Sequence, residues 1–147
     1  TTIVFAIFLY LSDKSKMNNN IENNFNFKSA ISIGMLQILS LIPGVSRSGI
    51  AITAARFLRF GRVEAAKISF LLSIPILGAV SIFGLKNILI SENSLFTKTN
   101  LMAIFLSFSF SFITIKFFLN FLKKFNLNFF VLYRILLGII ILLYLKL

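Results

Sequence analysis

The chain contains no cysteine and no histidine, and only four acidic residues among 147: Asp13, Glu22, Glu64 and Glu92. Without cysteine there is neither a disulfide nor a thiolate metal site. Without histidine the commonest general base and the commonest transition-metal ligand are missing. Charged residues make up 13% of the sequence, too few to coat a soluble globule of this size. What is present is 58% hydrophobic, with a mean hydropathy of +0.95, and the bilayer is the natural solvent for such a chain. Fifteen Lys and Arg give a net charge of +11. On a soluble domain that excess would point to nucleic acid. Here the cations fall between apolar runs, where they meet anionic lipid headgroups and set topology. Membrane lipid is therefore the expected partner, and nucleic acid is not.

The sequence opens at Thr1 inside an apolar run and reads as part of a longer protein. Residues 1–11 are too short to span a bilayer, which takes about 20 residues, and read as the end of a truncated helix. Residues 12–28 form a polar, Asn-rich loop. Residues 29–60 carry two short apolar stretches around a Pro-Gly turn, the pattern of a re-entrant helical hairpin. Non-helical backbone at membrane depth is tolerated only where protein or a wet cavity surrounds it. Arg56, Arg59 and Arg62, three apart, read as an interfacial anchor at a helix end, with Gly61 as the stop. Residues 65–85, 101–122 and 128–145 are each long enough to cross, and residues 86–100 read as a second polar loop. Pro75 should kink the first of these spans, where Ser69 and Ser73 share one face. Arg134 lies about 9 Å into the last span, so it either snorkels to the interface or takes a buried role. The basic turns at 56–67 and 116–124 place two loops on one side, the cytoplasmic one by the positive-inside rule. The fold class is thus all-α: a polytopic integral membrane protein, a single membrane domain with one re-entrant hairpin and about three further transmembrane helices.

The chemistry concentrates in Gly44-Val45-Ser46-Arg47-Ser48-Gly49. Glycine at both ends lets the backbone turn tightly and approach a ligand. Two hydroxyls flank a guanidinium, whose planar fork of donors matches phosphate oxygens bidentately. The turn opens a helix near Ile50, whose unpaired N–H groups favour an anion. The pattern is that of a phosphate or carboxylate held at membrane depth.

The stretch Gly34 to Gly49 (GMLQILSLIPGVSRSG), with Glu64-Ala65-Ala66, Phe70-Leu71-Leu72-Ser73-Ile74-Pro75 and Tyr133-Arg134-Ile135-Leu136-Leu137-Gly138, resembles the bacterial undecaprenyl-diphosphate phosphatases, the bacitracin-resistance family. The resemblance covers most of the chain and corresponds to that family's carboxy-terminal half. It implies half of an inverted-repeat fold in the bacterial inner membrane. It also implies a hydrolase that converts undecaprenyl diphosphate to the monophosphate and inorganic phosphate for cell-wall synthesis. Arg47, Ser46 and Ser48 would be catalytic; Gly44, Gly49, Gln37 and Ser73 would bind the polyprenyl diphosphate. A divalent cation, Mg²⁺ or Ca²⁺, is implied, with its ligands in an amino-terminal half that this chain lacks; no metal ligand is assigned here. A homodimer is a further implied partner. Two departures stand out: the family's acidic motif and its histidine are absent, and Ala51 replaces a common threonine, with Thr53 two positions further on. The fragment is therefore expected to be inactive alone. A polyprenyl-phosphate transporter or flippase part is the competing reading, since broken helices in inverted repeats are also transporter architecture. A truncated, non-functional product is a third.

Overall fold

The computed structural model describes residues 1–90 and 97–146, and the side chains of 1–86 and 100–144. Among these residues the chain is helical: α1 (Thr2–Asp13), α2 (Ile21–Asn24), α3 (Phe27–Gln37), a 3-10 turn (Ile38–Leu41), α4 (Arg47–Phe57), α5 (Arg62–Ile90), α6 (Thr97–Lys124) and α7 (Asn128–Lys146). The expected hairpin is α3 and α4, which pack on one another around the Pro-Gly turn. Asn26 starts α3 as an N-cap, its Oδ1 accepting from the Ser29 amide at 2.9 Å. At the far end Ile42 is extended (φ −73°, ψ 126°), as a residue before proline must be. That ends the first arm.

The helices exceed the expected spans. α5 continues past residue 85 to Ile90 and α6 begins at Thr97, so much of the expected 86–100 loop is helical; residues 91–96 lie outside the described residues. α5 runs through Pro75 without interruption, and Ser73 donates to the Phe70 carbonyl at 2.6 Å. Two helical segments, Arg62–Lys86 and Asn100–Lys124, are long and apolar enough to cross a membrane. Many of their large apolar side chains are exposed, Phe105 and Phe108 among them. A soluble fold would bury such helices; a membrane protein turns them to lipid.

The core sits around α4. Residues Gly49 to Arg56 are all buried, and the helix packs against α1, α3 and α5. Its alanines 51, 54 and 55 let neighbouring backbones approach closely, the way membrane helices associate without a hydrophobic drive. α1 and α7 also pack tightly: a methyl group on Gly138 would stand 2.6 Å from Ile3 Cγ1.

One expectation is corrected. Arg56 is not an interfacial anchor but fully buried. Its Nη1 donates to the Phe60 carbonyl at 2.7 Å, and its Nη2 to the Asp13 and Ser15 carbonyls at 2.8 and 2.9 Å. Its Nε lies 3.5 Å from Asp13 Oδ1. Asp13, expected in a watery loop, ends α1 and is itself buried, gripped by Arg62 through Nε at 2.7 Å and Nη2 at 3.0 Å. The Asn-rich loop is likewise pinned. The amides of Asn18 and Asn19 donate to the Arg59 carbonyl at 3.2 and 3.1 Å, and Asn19 Nδ2 donates to the Leu58 carbonyl at 2.8 Å.

The helix stop is also two residues earlier than expected. Phe60 N donates to Ala55 O at 3.1 Å and Arg59 N to Arg56 O at 2.9 Å, with Arg59 left-handed (φ 65°). This is a Schellman cap with arginine at the position that usually takes glycine.

These two arginines should respond oppositely to substitution. Arg56→Met leaves the Asp13, Ser15 and Phe60 carbonyls without their guanidinium donor, while Asp13 keeps Arg62, and should cost about 2–4 kcal/mol, read as a large fall in the melting temperature of the chain in detergent. Arg59→Gly relieves left-handed strain and should be neutral or raise stability by up to about 1 kcal/mol. An unchanged melting point for Arg56→Met would contradict the buried staple.

Candidate anion-binding site

The turn between the hairpin arms is built by Ile42-Pro43-Gly44-Val45. Val45 N donates to Ile42 O at 3.1 Å, and Gly44 has φ +89°. Proline second and a positive-φ glycine third define a type II turn. The hydroxyls of Thr1 and Thr2 donate to the carbonyls of Pro43 and Gly44 at 2.9 and 3.4 Å, so the start of α1 holds the tip of the turn.

α4 begins at Arg47, three residues before the expected Ile50. Ser46 is its N-cap: extended, with Oγ accepting from Gly49 N at 3.2 Å. The Ser46 and Ser48 hydroxyls are 3.2 Å apart. The amides of Arg47 and Ser48 find no acceptor among the described residues, as the first turn of a helix requires. Arg47 is exposed and forms no ion pair among the described residues.

Gly49 is therefore helical, and its lack of a side chain serves a different purpose from that of Gly44. A methyl group there would stand 2.8 and 2.9 Å from Nη2 and Nη1 of Arg134. Of the two roles open to Arg134 in the sequence, the structure takes the inward one: its guanidinium lies flat against the first turn of α4, half-buried. Two arginines from segments 87 residues apart thus reach one helix start. Sequence reasoning did not join Arg134 to the motif. Its sequence signals were a cation placed inside a span and its place in the Tyr133–Gly138 stretch of the resemblance.

The remaining site residues fall as follows. Ser69 donates to the Ser48 carbonyl at 3.3 Å and ties α5 to the motif, whereas Ser73 bonds back to its own helix. Gln37 ends α3 on the approach to the turn, half-buried. Thr53 donates to Gly49 O at 2.7 Å, so it does not replace the threonine hydroxyl that Ala51 lacks. No group of three or more His, Cys, Asp or Glu comes together among the described residues. Asp13 is engaged by two arginines and Glu64 by Lys67 at 3.1 Å. Guanidinium groups, hydroxyls and free amides fit an anion and do not fit a divalent cation.

The site lies deep. Ser69, level with Ser48, is seven residues along α5 from Arg62, about 10 Å from that helix end; Arg134 is about 9 Å from the start of α7.

The fold is that of a helical membrane protein, and the start of α4 gathers donors suited to an anion: Arg47, Arg134 and the Ser46 and Ser48 hydroxyls. The family model of the bacitracin resistance protein BacA matches residues 1–140, and the chain belongs to that family. It is 52% identical over 141 residues to an undecaprenyl-diphosphatase of Pelagibacter ubique (strain HTCC1062), covering 96% of this chain and 55% of that protein. Proteins of the same name from Elusimicrobium minutum (strain Pei191) and Campylobacter curvus (strain 525.92) are 47% and 41% identical over 140 and 144 residues. These matches cover 95% and 97% of this chain, and 52% and 53% of the relatives. The chain spans about half the length of the curated relatives it matches.

The two glycines separate backbone need from ligand need. Gly44→Ala should destabilise by about 1 kcal/mol or more, because an L side chain is strained at that φ. Gly49→Ala should keep or raise the melting temperature, by up to about 1 kcal/mol of helix propensity, while displacing Arg134 and weakening anion binding. A Gly49→Ala chain that binds diphosphate like the parent would sink the proposed seat for Arg134.

Proposed function

We propose that this chain forms the phosphate-binding half of an undecaprenyl-diphosphatase, a multi-pass protein of the bacterial inner membrane that hydrolyses undecaprenyl diphosphate to the monophosphate and inorganic phosphate. The observation that carries the reading is that the Arg134 guanidinium lies against Gly49, in the same first turn of α4 that begins with Arg47 and carries the Ser46 and Ser48 hydroxyls. The names of the matched relatives support the substrate. A diphosphate carries charge that must be neutralised when it leaves water, and two guanidinium groups do so with directed hydrogen bonds. The same donors stabilise charge that shifts between phosphoryl oxygens in the transition state, the electrostatic share of phosphoryl transfer.

The described residues supply no free carboxylate or imidazole beside the motif to act as a general base. No step is routed through a divalent cation, because the residues present do not fit one. The chain by itself is accordingly a binding half. The flippase reading shares the binding site and differs only in the absence of cleavage.

The test combines binding with turnover. Inorganic diphosphate should bind the chain in detergent, measured calorimetrically. Arg47→Lys should weaken binding roughly 10- to 100-fold, since a charge-assisted hydrogen bond is worth about 1.5–3 kcal/mol. Arg47→Ala should lose more, and Arg134→Ala should lose a comparable amount. Arg59→Ala, remote from the turn, should be silent. Phosphate release from a prenyl diphosphate by the isolated chain should match a denatured control; clear turnover would show that the chain contains a complete catalytic set.

A further inference from the structure

We propose that the seam between α5 and α6 holds the first isoprene units of the lipid diphosphate, in a cavity that has Ser48 of the phosphate motif in its wall. The proposal rests on the phosphate reading of that motif and adds where the tail of the same molecule lies. A cavity of about 190 Å³ is lined by Ser48, Ile52, Phe70, Thr114, Ile115 and Phe118. Ser48 belongs to the anion site, so a molecule with its phosphate at the start of α4 places its next atoms against these walls.

The cavity suits hydrocarbon. Ile52, Phe70, Ile115 and Phe118 are apolar, and the two polar residues have their nearest groups engaged. Thr114 Oγ1 donates to Phe110 O at 2.7 Å, which spends the hydroxyl hydrogen on its own helix. The Ser48 carbonyl accepts from Ser69. Phe70 and Phe118 meet edge to face, ring centroids 5.8 Å apart, and keep this part of the seam fixed. Phe70 and Ile115 also line a larger cavity of about 570 Å³, where Leu71 and Leu119 continue the apolar wall. Its far mouth is polar, with Asn20, Glu22, Glu64 and Lys67, so the tail follows the apolar part and leaves sideways toward the exposed faces of α5 and α6. Continuity with the anion site selects the occupant. A free anion has no use for this space, and an ordinary acyl chain has no reason to begin at Ser48.

The experiment compares two probes on the intact chain in detergent: inorganic diphosphate, which has no tail, and farnesyl diphosphate, which has three isoprene units. Thr114 is exposed on α6, so Thr114→Trp fills the cavity without entering the core. The wild-type chain should bind farnesyl diphosphate more tightly than inorganic diphosphate. Thr114→Trp should weaken the farnesyl probe about 10-fold and leave inorganic diphosphate within about twofold. Ile140→Trp, on the exposed surface of α7, should change neither. As a second measurement, a farnesyl diphosphate with a photoreactive group on its first isoprene unit should label residues 110–119, and inorganic diphosphate should displace that label. Unchanged farnesyl affinity in Thr114→Trp, equal loss of both probes, or labelling confined to other helices would overturn the seam while leaving the phosphate site standing. Failure of inorganic diphosphate to bind the wild-type chain would instead overturn the phosphate reading, and the seam with it.

Discussion

A guanidinium that no water reaches must be satisfied by protein, and the two terminal nitrogens of Arg56 meet that demand by drawing three parts of the chain together. Its partners are carbonyls at the end of α1, in the loop that follows, and at the turn into α5. Leaving a buried charge uncompensated costs several kcal/mol, so these segments cannot separate independently. Asp13 extends the cluster: it accepts from Arg62 and pairs by charge with Arg56, whose Nε lies 3.5 Å from Oδ1. The result is a fixed base at the end of α4, and every residue of the phosphate motif is displayed from the other end of that helix.

The motif depends on this base because α4 is short. The helix has eleven residues, about 16 Å, from Arg47 next to the Ser46 cap to Phe57 next to the Arg56 staple. Between them every residue from Gly49 to Arg56 is buried, so a shift at one end is carried to the other. Arg134 arrives from α7, which is held in turn by close packing of α1 against Gly138. Both ends of α1 therefore matter: its beginning touches the Pro43-Gly44 tip, and its end carries Asp13. Binding groups from distant segments converge because one core positions them. The apolar surfaces of α5 and α6 face outward, as a bilayer allows.

Much of this was legible in the sequence because it is local. Pro43-Gly44 specifies its turn from two residues, Ser46 caps from three positions away, and the spans announce themselves by length and hydropathy. The family followed from the same motif. What could not be read depends on partners far along the chain. Arg56, Arg59 and Arg62 share a spacing that suggests one exposed face, yet the Schellman cap at Arg59 breaks the helix between them. Two of the three carbonyls that receive Arg56 lie more than forty residues earlier. Arg134 was recognisable as a cation inside a span but not as a neighbour of Gly49. Gly49 itself suggested backbone freedom, and its real contribution is an absent methyl group.

The central claim is that Arg47 and Arg134 grip one anion at the start of α4. A double-mutant cycle on inorganic diphosphate affinity tests it most directly, using Arg47→Gln, Arg134→Gln and the double variant. Side chains that share a ligand are energetically coupled, by about 0.5–3 kcal/mol, whereas independent sites add within roughly 0.5 kcal/mol. The expected result is that each single variant weakens binding strongly and that their combined effect departs from the sum by at least about 1 kcal/mol. Additive effects, or a silent Arg134→Gln, would show that the two arginines do not act on the same phosphate group and would contradict the account.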